Sequence, residues 1–120
     1  MYKRQALEDT IPPASHPYFG QPGCFLKFCD EVRQYTALPL CGVGGLNDPD
    51  FVEQQLVSGR IQCAAMSRPL LADPDLVNKL KNGQAAQIHR CVRCNKKCLG
   101  GLMAHQGTRC IYDALRAKEA

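Results

Sequence analysis

Four cysteines, Cys91, Cys94, Cys98 and Cys110, are spaced x2, x3 and x11 along the C-terminal third of the chain. Three of them fall within eight residues, so one loop can wrap a single site and the distant fourth can close it. Thiolates are soft ligands that suit iron–sulfur clusters, zinc and copper(I). Zinc ribbons usually present two C-x2-C knuckles, and the second knuckle is absent here, which puts a [4Fe–4S] cluster ahead of a four-thiolate zinc site while leaving zinc as the competitor. The bland alternative is four thiols or disulfides with no metal.

A second candidate group is Gly44-Gly45 after one apolar run and Ser67-Arg68 after the next. Glycine lets backbone approach a ligand closely. Backbone N–H groups, a hydroxyl and a guanidinium fork together suit a phosphate. The structural alternative is that the glycines make a tight turn and that Arg68 pairs with a helix. Cys24, Cys29, Cys41 and Cys63 fall on apolar faces or strands and read as small buried hydrophobes. His16 and His105 sit in loops, and His89 precedes the first cysteine of the arm, where it could hydrogen-bond near a metal group. Asp48 and Asp73 read as helix caps.

The elements that must position these residues follow from apolar periodicity and turn chemistry. Phe25, Phe28, Cys29 and Val32 fall at i, i+3, i+4 and i+7, which predicts a helix from Cys24 to about Tyr35. Residues 39–43 (PLCGV) and 61–66 (IQCAAM) read as short buried strands. Asp48-Pro49 opens a helix that stops at Gly59, and Asp73-Pro74 opens another that stops at Gly83. Ile11-Pro12-Pro13 and Gln21-Pro22-Gly23 place residues 1–23 in loop. The order is α-β-α-β-α followed by a cysteine arm, which predicts an α/β fold with a right-handed crossover and a parallel sheet. Two parallel strands cannot cover their own edges, so the chain reads as a slice of a larger α/β domain, completed by a partner chain or by a missing barrel half. Functionally it divides into residues 1–88 and a cluster-binding arm over 89–120.

Charge follows the same division. The 120 residues carry a net +4. Residues 1–88 hold eight Lys/Arg against nine Asp/Glu, and residues 89–120 hold seven against two. A basic tail can meet nucleic acid or offset the negative charge of a thiolate-ligated cluster. Aromatic residues are not interleaved with these charges, so stacking on bases is poorly supported. Charged residues at 22% of the chain argue against wholesale disorder. No run of about 18 apolar residues predicts a membrane span. Eight cysteines behind a polar N-terminus with no secretory signal point to a reducing, cytoplasmic compartment, where cysteine clusters bind metal or do redox work.

Four stretches together resemble one family. They are Gly42-Val43-Gly44-Gly45, then Asp48-Pro49, then the run from Met66-Ser67-Arg68-Pro69 to Leu76, then Cys91-Val92-Arg93-Cys94-Asn95-Lys96-Lys97-Cys98-Leu99. This pattern is similar to the end of the flavin domain of the NADH:flavin oxidoreductases, relatives of Old Yellow Enzyme. It is closest to their iron–sulfur branch, such as 2,4-dienoyl-CoA reductase, whose cluster cysteines share the x2, x3, x11 spacing. The resemblance implies the last two βα units of a (β/α)8 TIM barrel with a cluster arm. It implies that Gly44, Gly45, Ser67 and Arg68 hold the FMN phosphate and that Cys91, Cys94, Cys98 and Cys110 hold [4Fe–4S]. It further implies an ene-reductase-like oxidoreductase that takes reducing equivalents from NAD(P)H and passes them to a small-molecule substrate.

Two departures qualify the match. Many members carry glycine where Ser67 stands. The first six strands are absent, and with them the flavin-ring contacts and the catalytic acids, so no catalytic residue is carried over. The isolated chain is therefore expected to lack ene-reductase activity. Two other classes remain open on the residues alone: a small iron–sulfur electron-transfer module, and a four-cysteine zinc module whose basic tail binds nucleic acid.

Overall fold

The computed structural model describes residues 21–119. The Ile11-Pro12-Pro13 loop and His16 lie outside the described residues. The chain divides into two compact units, one ending at Ala65 and one beginning at Met66.

The first unit holds helix α1 (Leu26–Arg33), strand β1 (Cys41–Val43), helix α2 (Pro49–Val57) and strand β2 (Cys63–Ala65). The strands pair in parallel with Cys41 opposite Cys63, Gly42 opposite Ala64 and Val43 opposite Ala65. The expected α/β order and parallel pairing are therefore present. Helix α2 starts as its sequence dictates. The Asp48 side chain accepts the Asp50 N–H at 3.3 Å, and Pro49 fills the first turn, where its missing N–H costs nothing. It stops at Gly59, whose φ of 72° is the left-handed conformation that glycine adopts most cheaply.

Leu26, Leu46, Val52 and Ile61 form the buried core of this unit. Gly42 makes that core possible. A Cβ there would lie 2.7 Å from Leu26 Cδ2 and 2.8 Å from Ile61 Cδ1, so only a bare Cα lets the two side chains meet over β1. This corrects the helix face read from the sequence: Val32 is 46% exposed, and Leu26 is the side chain that enters the core.

The burial of the strands also needs correction. Successive strand residues point to opposite faces. Gly42 faces α1 and is buried, while Cys41 and Val43 face away and are exposed. Cys63 and Ala65 are exposed in the same way. Cys41 and Cys63 are thus surface residues rather than core hydrophobes, and Cys24 and Cys29 are half-buried. Gln62 fixes the entry to the sheet. Its side-chain oxygen accepts the Leu40 N–H at 2.8 Å, and its backbone N–H donates to Leu40 O at 2.9 Å.

The second unit contains helices α3 (Arg68–Ala72), α4 (Leu76–Lys81), α5 (Leu99–Met103) and α6 (Asp113–Glu119), with a 3-10 turn over Ala85–Gln87. Helix α4 stops at Gly83 as expected, with the Gly83 N–H donating to Leu80 O at 3.1 Å and the Gln84 N–H to Lys79 O at 2.8 Å. Its start lies at Leu76 rather than at Pro74. Helices α3, α5 and α6 were not foreseen in the sequence. Ala72, Leu76 and Ile88 are buried here. Among the described residues, no helix is long and apolar enough to cross a membrane.

Candidate cysteine centre and its supports

The loop from Cys91 to Cys98 bends twice. Arg93 and Asn95, on either side of Cys94, take left-handed φ values of 55° and 56°. Few non-glycine residues adopt this conformation, and such turns cluster at functional sites. The Arg93 N–H donates to Cys91 Sγ at 3.4 Å, which closes the first bend on the first cysteine.

The fourth cysteine is brought back by backbone alone. The Arg109 N–H donates to Lys97 O at 3.3 Å, which sets the residue before Cys110 beside the residue before Cys98. The excursion between these two cysteines is folded on itself. Helix α5 ends with the His105 N–H on Leu102 O at 3.1 Å and the Gln106 N–H on Gly101 O at 2.8 Å. His105 itself is left-handed, with φ 54°, so it serves as the turn residue that ends α5. Gly101 permits the fold-back: a Cβ there would sit 2.4 Å from Gly107 O.

As a result Cys91, Cys94, Cys98 and Cys110 all line one cleft. Each is half-buried, and among the described residues none pairs in a disulfide. Arg68, Leu71 and Tyr112 line the same cleft. Among the described residues, no three Cys, His, Asp or Glu side chains converge closely enough to hold a single metal ion. Four thiols are soft donors of the kind that iron–sulfur clusters and zinc take.

Both ends of the cysteine segment are anchored. Asp73 is 1% exposed, and its carboxylate accepts Lys79 Nζ at 2.7 Å, the His89 N–H at 2.9 Å and the Asp75 N–H at 3.1 Å. Burial alone would raise its pKa, but the Lys79 bond, the two N–H donors and the Lys79 charge outweigh it and hold the carboxyl below its ordinary value. His89 in turn stacks on Tyr112, with ring centroids 5.1 Å apart, so residues just outside the first and fourth cysteines meet. Asp113 Oδ2 accepts the Cys110 N–H at 3.1 Å. Arg116 ties α6 down by donating to Leu71 O at 2.9 Å, to Ala72 O and to Asp113.

The phosphate candidates are distributed as follows. Gly44 and Gly45 follow β1 with φ values of 98° and 66°. A Cβ on Gly44 would meet Phe25 Cδ2 at 2.4 Å, and one on Gly45 would meet Gln21 O at 2.6 Å, so both glycines are required by a close turn of the chain. Ser67 precedes α3 and makes no capping bond there. Arg68 Nη1 donates to Asn95 Oδ1 at 2.6 Å, which brings Arg68 to the cysteine loop. The supporting roles of Asp73, Asn95, Tyr112 and Arg116 escaped the sequence reading. Only Asp73 carried a signal, as a helix-start residue.

The described residues thus hold an α/β segment and a cleft lined by four thiols. The chain belongs to the NADH:flavin oxidoreductase / NADH oxidase family, whose model matches residues 4–87. It is 60% identical over 108 residues to bilirubin reductase of Clostridium symbiosum, covering 90% of this chain and 29% of that protein. It is 40% identical to the 4,4'-dithiodibutanoate disulfide reductase of Rhodococcus erythropolis, over 86% of this chain and 25% of that one. The fold matches 6-hydroxypseudooxynicotine amine oxidase from Pseudomonas geniculata N1 with a TM-score of 0.70 and 32% identity, over 81% of this chain and 14% of that one. The chain thus spans less than a third of each of these relatives.

Proposed function

We propose that this chain supplies the last two βα units and the cluster arm of an FMN- and [4Fe–4S]-dependent NAD(P)H oxidoreductase that reduces a conjugated small molecule. The observation that carries the proposal is the single cleft shared by Cys91, Cys94, Cys98 and Cys110. The x2, x3, x11 spacing, with no second C-x2-C knuckle, supports a cluster over a lone zinc ion.

In this reading residues 1–88 belong to a (β/α)8 flavin domain and residues 89–120 form the arm. Gly44 and Gly45 offer backbone N–H groups to the FMN phosphate, Ser67 a hydroxyl and Arg68 its charge. The Arg68 guanidinium has five N–H donors, so its bond to Asn95 and a phosphate contact are compatible. The four thiolates hold the cluster, and the basic excess of residues 89–120 offsets their negative charge. When bound, the flavin accepts and delivers hydride and the cluster moves single electrons. The chain's own residues bind, orient and shield these groups. None of them is assigned as a proton donor, and the isolated chain is expected to show no ene-reductase activity, which an NADH-dependent enone assay of the pure chain checks. The 60% identity to a bilirubin reductase makes bilirubin, a conjugated tetrapyrrole, the first substrate to test on the intact enzyme.

The test is an anaerobic visible spectrum of the purified chain with iron, sulfide and zinc analysis. Broad thiolate-to-iron absorption with matching iron and sulfide is the expected outcome. A colourless chain that retains zinc after reconstitution with iron and sulfide would sink the cluster assignment.

A further inference from the structure

The cysteine cleft has a charged wall that its four thiols do not account for. Arg68 opens α3, outside the cysteine loop, yet it lines the cleft with Cys91, Cys94, Cys98 and Cys110. Its Nη1 donates to Asn95 Oδ1 at 2.6 Å, so the guanidinium is held against the residue that follows Cys94. Asn95 is a firm support. It takes a left-handed φ of 56°, which asparagine adopts more readily than most residues, and its backbone oxygen accepts the Gly100 N–H at 2.9 Å. The helix that carries Arg68 is held as well, because Arg116 donates to Leu71 O and Ala72 O in α3. Lys97 and Arg109 also line the cleft. Both are exposed in this chain, whereas Arg68 is half-buried, so water and salt screen the Arg68 charge least.

We propose that Arg68, fixed in place by Asn95, raises the reduction potential of the cluster that the four cysteines hold. The inference rests on the proposed cluster and not on the flavin. A cluster with four thiolate ligands is anionic and becomes more so on reduction. Reduction adds one electron to the cluster and breaks no bond, and Arg68 keeps its proton throughout, because a guanidinium does not titrate in proteins. The electron comes from reduced flavin in the proposed enzyme and from dithionite in a titration of the chain. A cation held nearby stabilises the reduced form more than the oxidised one, and net charge is one of the levers that set cluster potentials. A guanidinium already fixed by its bond to Asn95 exerts this field without reorganising, whereas the Lys97 ammonium rides on a flexible, hydrated stem. The sign of the effect separates charge from packing. Loss of the cation disfavours the reduced form and lowers the potential. A loop merely loosened by substitution admits water, which solvates the more charged form and raises it. Arg68 thus acts on the cluster through its field, and Asn95 is its positioning residue.

The full chain is loaded anaerobically with iron and sulfide, without flavin, and titrated with dithionite against mediator dyes. The electron paramagnetic resonance of the reduced cluster is the readout. Arg68→Met is expected to lower the equilibrium constant for one-electron reduction about tenfold, which is about 59 mV. Arg68→Lys keeps the charge and is expected to recover most of that shift. Asn95→Ala keeps the charge but releases it, so its potential is expected to fall between those of the wild type and Arg68→Met. It also carries the test if Arg68→Met does not retain iron and sulfide. Lys97→Met removes an exposed cation of the same cleft and is expected to shift the potential less than Arg68→Met does. An unchanged or raised potential in the Arg68 and Asn95 variants would overturn the inference, as would an equal fall in Lys97→Met. A wild-type chain that takes up no iron and sulfide overturns the proposed cluster and this inference with it. A loaded cluster whose potential ignores Arg68 and Asn95 overturns this inference alone.

Discussion

Replacing Asp73 by asparagine tests the anchoring of the cysteine arm most directly. The carboxylate is 1% exposed and accepts three donors, one of them the ammonium of Lys79, itself 19% exposed. Both the His89 N–H and Lys79 Nζ approach Oδ2, while the Asp75 N–H approaches Oδ1. An asparagine has one oxygen. If that oxygen keeps the Oδ2 position, its NH2 confronts the Asp75 N–H; if it takes the Oδ1 position, its NH2 confronts both of the others. At least one hydrogen bond is lost and Lys79 loses its counter-charge. A hydrogen bond to a charged group is worth about 1.5–3 kcal/mol, and breaking a fully buried pair costs about 3–5 kcal/mol. Lys79 retains some access to water, so the expected loss is about 2–3 kcal/mol. Urea unfolding at pH 7 measures it.

The same carboxyl sets an acid dependence. Its folded pKa lies below the ordinary value of about 3.9, so its contribution is complete above that value and is lost as pH falls through the lower folded one. The wild-type chain should therefore lose stability below about pH 4 by more than Asp73→Asn does. A change under about 0.5 kcal/mol at pH 7, the usual range for surface substitutions, with parallel acid profiles, would refute the reasoning.

Three further substitutions probe the other supports. Gly42→Ala inserts a methyl between Leu26 and Ile61 and should destabilise the chain by about 1–3 kcal/mol in a thermal or urea melt. His105→Gly relieves a left-handed side-chain residue at the end of α5 and should stabilise by about 1 kcal/mol, read the same way. Arg116→Met removes the donors that hold α6 to Leu71 and Ala72. It should lower the fraction of chain that retains iron and sulfide after anaerobic gel filtration, while leaving β1–β2 intact by circular dichroism.

What could be read from the sequence was local. Asp48-Pro49 and Gly59 bracket α2, and Gly83 ends α4, because capping is written in adjacent residues. The cysteine spacing likewise brought four thiols to one cleft. The parts that escaped depend on partners far along the chain. Leu26 enters the core because Gly42 leaves room for it, and no helical wheel contains that information. Arg68 offered itself as a phosphate fork, and its bond to Asn95 spans 27 residues. Cys41 and Cys63 looked buried because apolar runs were read as covered on both faces, whereas the strands are three residues long and packed on one. Arg116 was missed because its distant partners, Leu71 O and Ala72 O, are backbone carbonyls that no residue pattern marks.

The bond between Lys97 and Arg109 has a consequence for how the arm can vary. It closes the base of the excursion between the third and fourth cysteines, and the turn at His105 and Gly107 folds the excursion on itself. The eleven intervening residues therefore act as a closed stem rather than as a tether whose length sets the reach of Cys110. Doubling a flexible loop costs only about 0.6 kcal/mol in closure entropy. Residues added at the tip, beyond the paired base, thus leave Cys98 and Cys110 where they are. The arm offers a place where a peptide tag or a recognition segment can be spliced in while the four thiols keep their register.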